Sequence, residues 1–386
     1  MATTQNNISL KELEVFFKNG GLNTQSLVYN YDKLFNNTLW KRYFVKAATP
    51  TPLDAEGKGL WQMSSFVDSA SVMPKPRASW SEMDEINKDG FTTYQGSNGQ
   101  YGLKHKWTPE QLSDFERAVL AAGSNDVIER AYMKKPLDLI KGAHALTTNL
   151  SMQLMSKGQF ITVNGRGFKN QGKAEIPTTR FTTCGDKIWS DVTADIITAM
   201  QTKEKTLRDA TGYEGPLSWK MNRTRFNYVM NNTKVQNYLK GYLAGRMNLL
   251  TTDAVPYTLG TLASYNAWVS EIAMEYLSPI EIIEEQQISM DGQLTKTAVS
   301  GWESKAAVLS PMGLQGEIKY SAIEELKWIN SEMCQVAYTE GGLFALANYK
   351  VLRGEFADYH TNLYMHLAPA LSVFDKMIIV DTTDAD

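Results

Sequence analysis

Residues 137–158, LDLIKGAHALTTNLSMQLMSKG, followed directly by QFITVNGRGF at 159–168, decide the reading of this chain. Leu139, Ala143, Leu146, Leu150 and Leu154 recur at steps of three and four, so a helical backbone gathers them into one apolar stripe. Lys157-Gly158 stops that helix, because glycine accepts the left-handed conformation that closes a helix end. Asn164-Gly165 then supplies the two positive φ values of a tight hairpin turn. The segment therefore reads as a long helix delivered straight into a β-hairpin.

Working outward, the chain changes character between Thr49 and Trp107. Pro50, Pro52, Pro74 and Pro76, together with Gly57, Gly59, Gly90, Gly96, Gly99 and Gly102, forbid long helices and leave an irregular β ribbon. Its aromatic residues, among them Trp61, Phe66, Trp80, Tyr94, Tyr101 and Trp107, argue against disorder. A segment of this length without helix is usually functional, and aromatic side chains on it serve either as satellite core or as anchors on another chain. Residues 1–48 read as an arm: a short helix around Leu10 to Phe17, a break at Asn19-Gly20-Gly21, and LWKRYFVKA at 39–47.

Downstream, Thr108-Pro109-Glu110-Gln111 combines an N-cap, a proline at the first helical position and a capping-box glutamine. Helix is expected from there to about Ala122, again after Ser124, and again from Pro136 to Lys157. After the hairpin and a strand-like KAEIPTTRFTT, a helix enters at Asp191 and Thr193 and leaves at Thr211-Gly212. Further helical patterns cover Arg223 to Leu239 and Thr261 to Tyr276, a hairpin turns at Asp291-Gly292, and Lys305 to Ser310 reads as a buried strand. Near the end, Leu363, Met365 and Leu367 alternate with Asn362, Tyr364 and His366 as in a half-buried antiparallel strand, and MIIVD at 377–381 reads as fully buried.

Composition narrows the function. The chain has 386 residues, 43% apolar and 21% charged, with a formal charge of −3, so neither a basic field for nucleic acid nor a polybasic patch for lipid is present. Two cysteines, Cys184 and Cys334, fit no metal-ligand spacing and no disulfide framework. The first residues lack a secretory pattern and no apolar run reaches the length of a membrane span, so the expected setting is a reducing cytoplasm, without membrane attachment.

Enzymatic leads fail on chemistry. Gly167 to Ala174, GFKNQGKA, fits most of a phosphate-binding loop, but Ala174 stands where a magnesium-binding hydroxyl is required, and AEIPTTRF with Pro177 cannot supply the helix behind it. The four histidines, His105, His144, His360 and His366, include no pair at ligand spacing on one helix. Glu281, Glu284 and Glu285 read as a solvated strand face, and Asp191 and Asp195 as helix N-terminal charge. Cys184, in TTCGD, would need a histidine brought to it by the fold. No catalytic residue, cofactor or metal site is expected.

The order of arm, β ribbon, long helix, hairpin, central α/β region and terminal strands resembles the major capsid proteins of tailed bacteriophages, the Hong-Kong-97-type fold, and within them the lambda-type branch, the major capsid protein E-like proteins. The residues that carry the resemblance are Leu154-Met155-Ser156-Lys157-Gly158, the hairpin from Gln159 to Phe168, the helix entry Trp189-Ser190-Asp191 with Ala194-Asp195-Ile196, and His366-Leu367-Ala368-Pro369-Ala370 followed by Met377 to Val380. From Asn222 to Tyr349 the match is one of pattern.

The resemblance implies an α+β fold with an N-terminal arm at 1–48, an extended loop at 49–107, a spine helix and peripheral domain at 108–190, an axial domain at 191–350, and terminal strands at 351–386 that return to the peripheral domain. It implies no catalysis and a structural role: hexamers and pentamers of an icosahedral head around double-stranded DNA, contacted non-specifically, in a virion assembled in the host bacterial cytoplasm. The loop would lie across a neighbouring subunit, making Trp61, Phe66, Trp80, Tyr94, Tyr101 and Trp107 candidate inter-subunit contacts. An arm this short implies a separate scaffolding protein, and the family implies a portal and a decoration protein as further partners. Two alternatives stand beside it: an encapsulin-like bacterial compartment shell, against which the length of the ribbon counts, and a cytosolic oligomeric enzyme, which requires a concave pocket with perturbed titratable groups.

Overall fold

A computed structural model of the chain describes residues 33–55, 58–66, 91–108, 110–111, 113–114, 117, 125–163, 169–246, 261–272, 275–284, 288–289, 298–328, 334–353 and 356–385. The expected helix near Leu10, Trp80, and the Asn164-Gly165 and Asp291-Gly292 turns lie outside the described residues. The chain divides into two compact units, one of Met1–Trp61, Gly96–Thr148 and Ile318–Pro369, the other of Gln62–Gln95, Asn149–Glu317 and Ala370–Asp386.

The first unit is built on a six-stranded sheet ordered Phe44–Lys46, Gly316–Tyr320, Phe356–Leu371, Phe344–Arg353 and Cys334–Thr339, with Gly99–Lys106 also paired to Phe356–Leu371. The long strand Phe356–Leu371 is central because its alternation suits a sheet interior: Leu363, Met365 and Leu367 are buried while Asn362 and Tyr364 are only half-buried. Each such fully buried leucine contributes about 2 kcal/mol of transfer free energy. His366, on the polar side, is buried as well, with Nε2 2.9 Å from Glu325 Oε2.

The second unit carries a five-stranded sheet ordered Phe181–Thr183, Ile378–Asp381, Ala306–Pro311, Leu217–Asn222 and Ile280–Ile283. Ala306–Pro311 is buried along its whole length, as its apolar run requires. The last strand of the chain, Ile378–Asp381, pairs antiparallel with it and parallel with Phe181–Thr183. Trp219, Met221, Leu309, Ile378 and Val380 pack in one core with Trp189, Phe226, Leu239, Tyr265 and Trp268, which brings the helices Ile196–Thr211, Arg223–Asn231, Thr233–Arg246 and Leu262–Ile272 onto the sheet.

Local signals explain most element ends. Gln111 N–H donates to Thr108 Oγ1 and Thr108 N–H to Gln111 Oε1, both at 3.3 Å, the reciprocal pair of a capping box. Gly158 has φ +69° and its N–H donates to Leu154 O at 2.9 Å, closing the long helix. That helix runs unbroken over Asn125–Lys157, through Pro136, where an interruption is expected from sequence; a proline inside a helix forfeits one hydrogen bond without having to end it when packing holds the rest. Two of its buried polar residues are satisfied by the preceding turn: Thr147 Oγ1 donates to Ala143 O and Ser156 Oγ to Met152 O.

Two further boundaries move. Asp191 does not open a helix; its carboxylate accepts from Thr193 N and Oγ1 in a local turn, and the helix starts at Ile196 with Asp195 as N-cap. The pattern from Arg223 to Leu239 is two helices split at Asn232, whose side chain accepts from Lys234 N and Val235 N and thereby caps the second. Ile280–Ile283 joins the five-stranded sheet, parallel to Leu217–Asn222, and among the described residues Ile288–Ser289 and Ala298–Val299 pair as in the expected hairpin.

Candidate functional site

The β ribbon is the candidate contact element, and its base is tied down by backbone bonds. Thr51 N donates to Tyr320 O at 2.7 Å, Leu60 N to Pro52 O at 3.0 Å and Asn98 N to Gly59 O at 2.8 Å, while Asn98 Nδ2 donates to Thr51 Oγ1 at 2.8 Å. From this base Leu60–Phe66 and Phe91–Ser97 pair as a two-stranded sheet, and Gly99–Lys106 continues into the six-stranded one. Two strands alone are marginal in water, so this ribbon gains from a surface to lie on.

The candidate contact residues separate into groups. Trp61 is 8% exposed, seated where Gly96 leaves no side chain; a Cβ there would fall 2.3 Å from the indole. Tyr94 is 3% exposed, its hydroxyl donating to Leu371 O at 3.0 Å and accepting from Leu371 N at 2.6 Å, with its ring edge-on to Phe374. Burial raises the Tyr94 phenol well above its usual range. Trp107 is 5% exposed and donates from Nε1 to Thr361 Oγ1, which itself donates to Asn348 Oδ1. These three rings are covered by their own chain, where the resemblance implies cover from a neighbour; the backbone and hydroxyl partners that hold them lie more than 250 positions away for Tyr94 and Trp107, at 277 and 254. Tyr101 is half-buried opposite Met365, Phe66 ends its strand, and Trp80 lies outside the described residues.

Other apolar surface stands open. In the hairpin Gln159–Val163 with Lys169–Lys173, Phe160 points inward and Ile161 and Val163 are 40% and 52% exposed on the opposite face. Met312 and Leu314 are exposed on either side of Gly313, which takes φ +83°. The rejected phosphate loop is the second strand of this hairpin, Lys169–Lys173, followed by the short 3-10 turn Thr178–Arg180, so no helix N-terminus faces it.

The titratable groups are mostly tied to structural partners. A cleft of about 340 Å³ in the second unit is lined by Ser156, Lys157, Glu303, Lys305 and Asp381 among others, and its charges pair as Lys157–Glu303 at 3.1 Å and Lys305–Asp381 at 3.9 Å. Burial pushes both carboxyls up, but hydrogen bonds, from Lys157 to Glu303 and from Thr383 to Asp381, outweigh it and hold them below the usual range. The Cys184 thiol is buried, donates to Asp384 O, and is raised by burial, the opposite of an activated nucleophile. Lys220 is fully buried, donating to Ser218 Oγ, Ser310 Oγ and Pro311 O, and burial lowers its ammonium to about 8. Glu284 is bonded to Arg223, Asp195 to Lys234, and Glu285 lies outside the described residues. Among the described residues no cluster of three or more His, Cys, Asp or Glu side chains is placed to hold a metal, and no helix is long and apolar enough to cross a membrane.

These elements define an α+β architecture: a long helix with a hairpin at its end, a strand ribbon, a long-stranded sheet and a helix-covered sheet. The fold is that of a protein of an Escherichia coli CFT073 prophage assigned as its capsid protein, with a TM-score of 0.50 and 13% identity over 96% of this chain and 98% of that one. A phage-related protein of Bordetella bronchiseptica RB50 matches with a TM-score of 0.48 at 10% identity, covering 92% and 96% of the two chains, and the satellite phage P4 procapsid with 0.46 at 9% identity, covering 94% and 91%. No protein-family model and no curated protein matches the sequence.

Proposed function

We propose that this chain is the major capsid subunit of a tailed bacteriophage, assembling as hexamers and pentamers into an icosahedral head around double-stranded DNA. The observation that carries the reading is the shared fold with the prophage protein over 96% of this chain. It is supported by a ribbon whose base is pinned by backbone bonds and whose two strands gain from a surface beyond it. In this reading residues 1–48 are the arm, 49–107 the extended loop, 108–190 the spine helix and peripheral domain, 191–350 the axial domain and 351–386 the terminal strands that return to the peripheral domain.

Within the loop, Trp61, Tyr94 and Trp107 anchor the ribbon to its own subunit, and Phe66, Trp80 and Tyr101 carry the contact with a neighbour. The exposed pair Ile161 and Val163 adds a second contact at the hairpin. A near-neutral charge of −3 suits an inner wall that releases its genome, so DNA is held non-specifically and weakly. A separate scaffolding protein, a portal and a decoration protein complete the set of partners, the site of action is the virion, and assembly takes place in the host cytoplasm.

Sedimentation of the chain expressed with its neighbouring reading frames tests this. Capsid subunits run as capsomers and megadalton particles containing nucleic acid; particles of that size filled with protein cargo favour an encapsulin-like shell, and a small closed oligomer contradicts both.

A further inference from the structure

The segment Lys33 to Tyr43 meets the long helix at a polar cluster inside the first unit. The His144 imidazole, 3% exposed, is stacked on Phe35 with centroids 4.5 Å apart, lies 6.1 Å from the Trp40 ring, and meets Phe344 edge-on at 5.1 Å. Trp40 Nε1 donates to His144 Nδ1 at 3.1 Å, which makes Nδ1 the acceptor and puts the ring proton on Nε2. Nε2 faces Glu340 Oε1 at 3.4 Å, and the same oxygen accepts from Lys41 Nζ at 2.6 Å. Next to it Lys46 Nζ donates to Gly341 O. Glu340 itself has φ +48°, a left-handed conformation that costs a non-glycine residue about 1–2 kcal/mol and persists where surrounding contacts enforce it.

We propose that this cluster is an acid-released clamp: protonation of His144 loosens the segment Lys33–Tyr43 from the long helix and from Glu340, while the strand Phe44–Lys46 stays paired in the six-stranded sheet. A second ring proton would sit on Nδ1 and oppose the Trp40 N–H, donor against donor, so this hydrogen bond from the segment to the helix is lost on charging. The charged groups that face the ring are Lys41, from the short helix Leu39–Tyr43, and Glu340, from the turn; Phe35, Trp40 and Phe344 present only aromatic surface. Lys41 repels an imidazolium and already occupies the carboxylate that could neutralise it.

Burial, and after it the Lys41 charge, lowers the His144 imidazole from 6.5 to about 3. The docked segment therefore binds fewer protons than the detached one between those values, so docking is at full strength above 6.5 and weakens as pH falls, by about tenfold per pH unit until the docked value is reached. The device is independent of the assembly reading, because it operates within one chain.

Hydrogen exchange of the full unassembled chain, read by peptide and corrected for the intrinsic rate at each pH, tests the clamp. From pH 7.5 to 5.0, protection of peptides within 33–43 is expected to fall about 30-fold, as 1.5 units below 6.5 require, while the strand Ala306–Pro311 keeps its protection. In His144→Phe, which keeps an aromatic ring between Phe35 and Phe344, the fall is expected to vanish. An undiminished fall in that variant, or none in the natural chain, overturns the proposal. Should His144→Phe not fold, Lys41→Met decides: removing the cation frees Glu340 for the imidazolium, so the acid response shrinks, and a full response contradicts the clamp. A merely structural role would lower protection equally at both pH values.

Discussion

The core of the second unit and the docked segment of the first are held by opposite means. Around the five-stranded sheet, Trp189, Trp219, Tyr265, Trp268 and Leu309 are buried against one another, so cohesion comes from apolar area and survives the loss of any single polar contact. The segment Lys33 to Tyr43 also buries Trp40 and Tyr43, and to that burial it adds the polar contacts of Trp40 with His144 and of Lys41 with Glu340. Apolar packing tolerates small displacements but forbids removal, whereas a polar clamp is specific and can be undone by one proton.

The sharpest way to break this comparison is to open the apolar core. Trp219→Ala, at a fully buried position on the central sheet, is expected to destabilise the chain by about 3–5 kcal/mol, measured as a shift in the denaturant midpoint without change in slope. A loss under about 1 kcal/mol would mean the core is loosely packed and the contrast false.

A fully buried cation on that unit's sheet gives the next effect. Lys220 has a folded value of about 8 against an ordinary 10.5. Between those values the unfolded chain binds more protons than the folded one, so stability is expected to rise with pH from about 8 to 10.5, by at most about 1.4 kcal/mol per pH unit. Denaturation at pH 8 and 10 should show the rise in the natural chain and a flat profile in Lys220→Met; the same rise in both would assign it to other groups.

The smallest effect sharpens the joint between the long helix and its hairpin. Gly158→Ala places a Cβ at φ +69° and 2.9 Å from Phe181 Cζ, and is expected to cost about 1–2 kcal/mol. A thermal midpoint unchanged by this substitution would show that the helix stop is set by the hairpin rather than by glycine.

Much of this architecture is legible in the sequence because its signals are local. Thr108 to Gln111, Gly158 and the run Ala306 to Ser310 each state their structure within a few residues, and each is found as read. What is hidden depends on distant partners. Nothing beside Pro136 announces that the helix continues through it, and nothing in DVTAD says that Asp191 turns back on Thr193 and leaves Asp195 to cap the helix.

The contact residues were harder still. Aromatics on a ribbon look like anchors for a neighbour, but Tyr94 and Trp107 find Leu371 and Thr361 in their own chain, and pairing at separations of 277 and 254 leaves no periodic trace. His144 had a signal that could have been read: a histidine set beside Ala143 on the apolar stripe of a helix requires a buried partner, here the Trp40 indole.

The central claim is that copies of this chain close into a shell. Electron microscopy of the chain produced with its neighbouring reading frames tests it most directly: the account predicts closed icosahedral particles whose faces resolve into rings of six with rings of five at the vertices. A uniform small oligomer that forms neither rings nor shells under any of these conditions would contradict it.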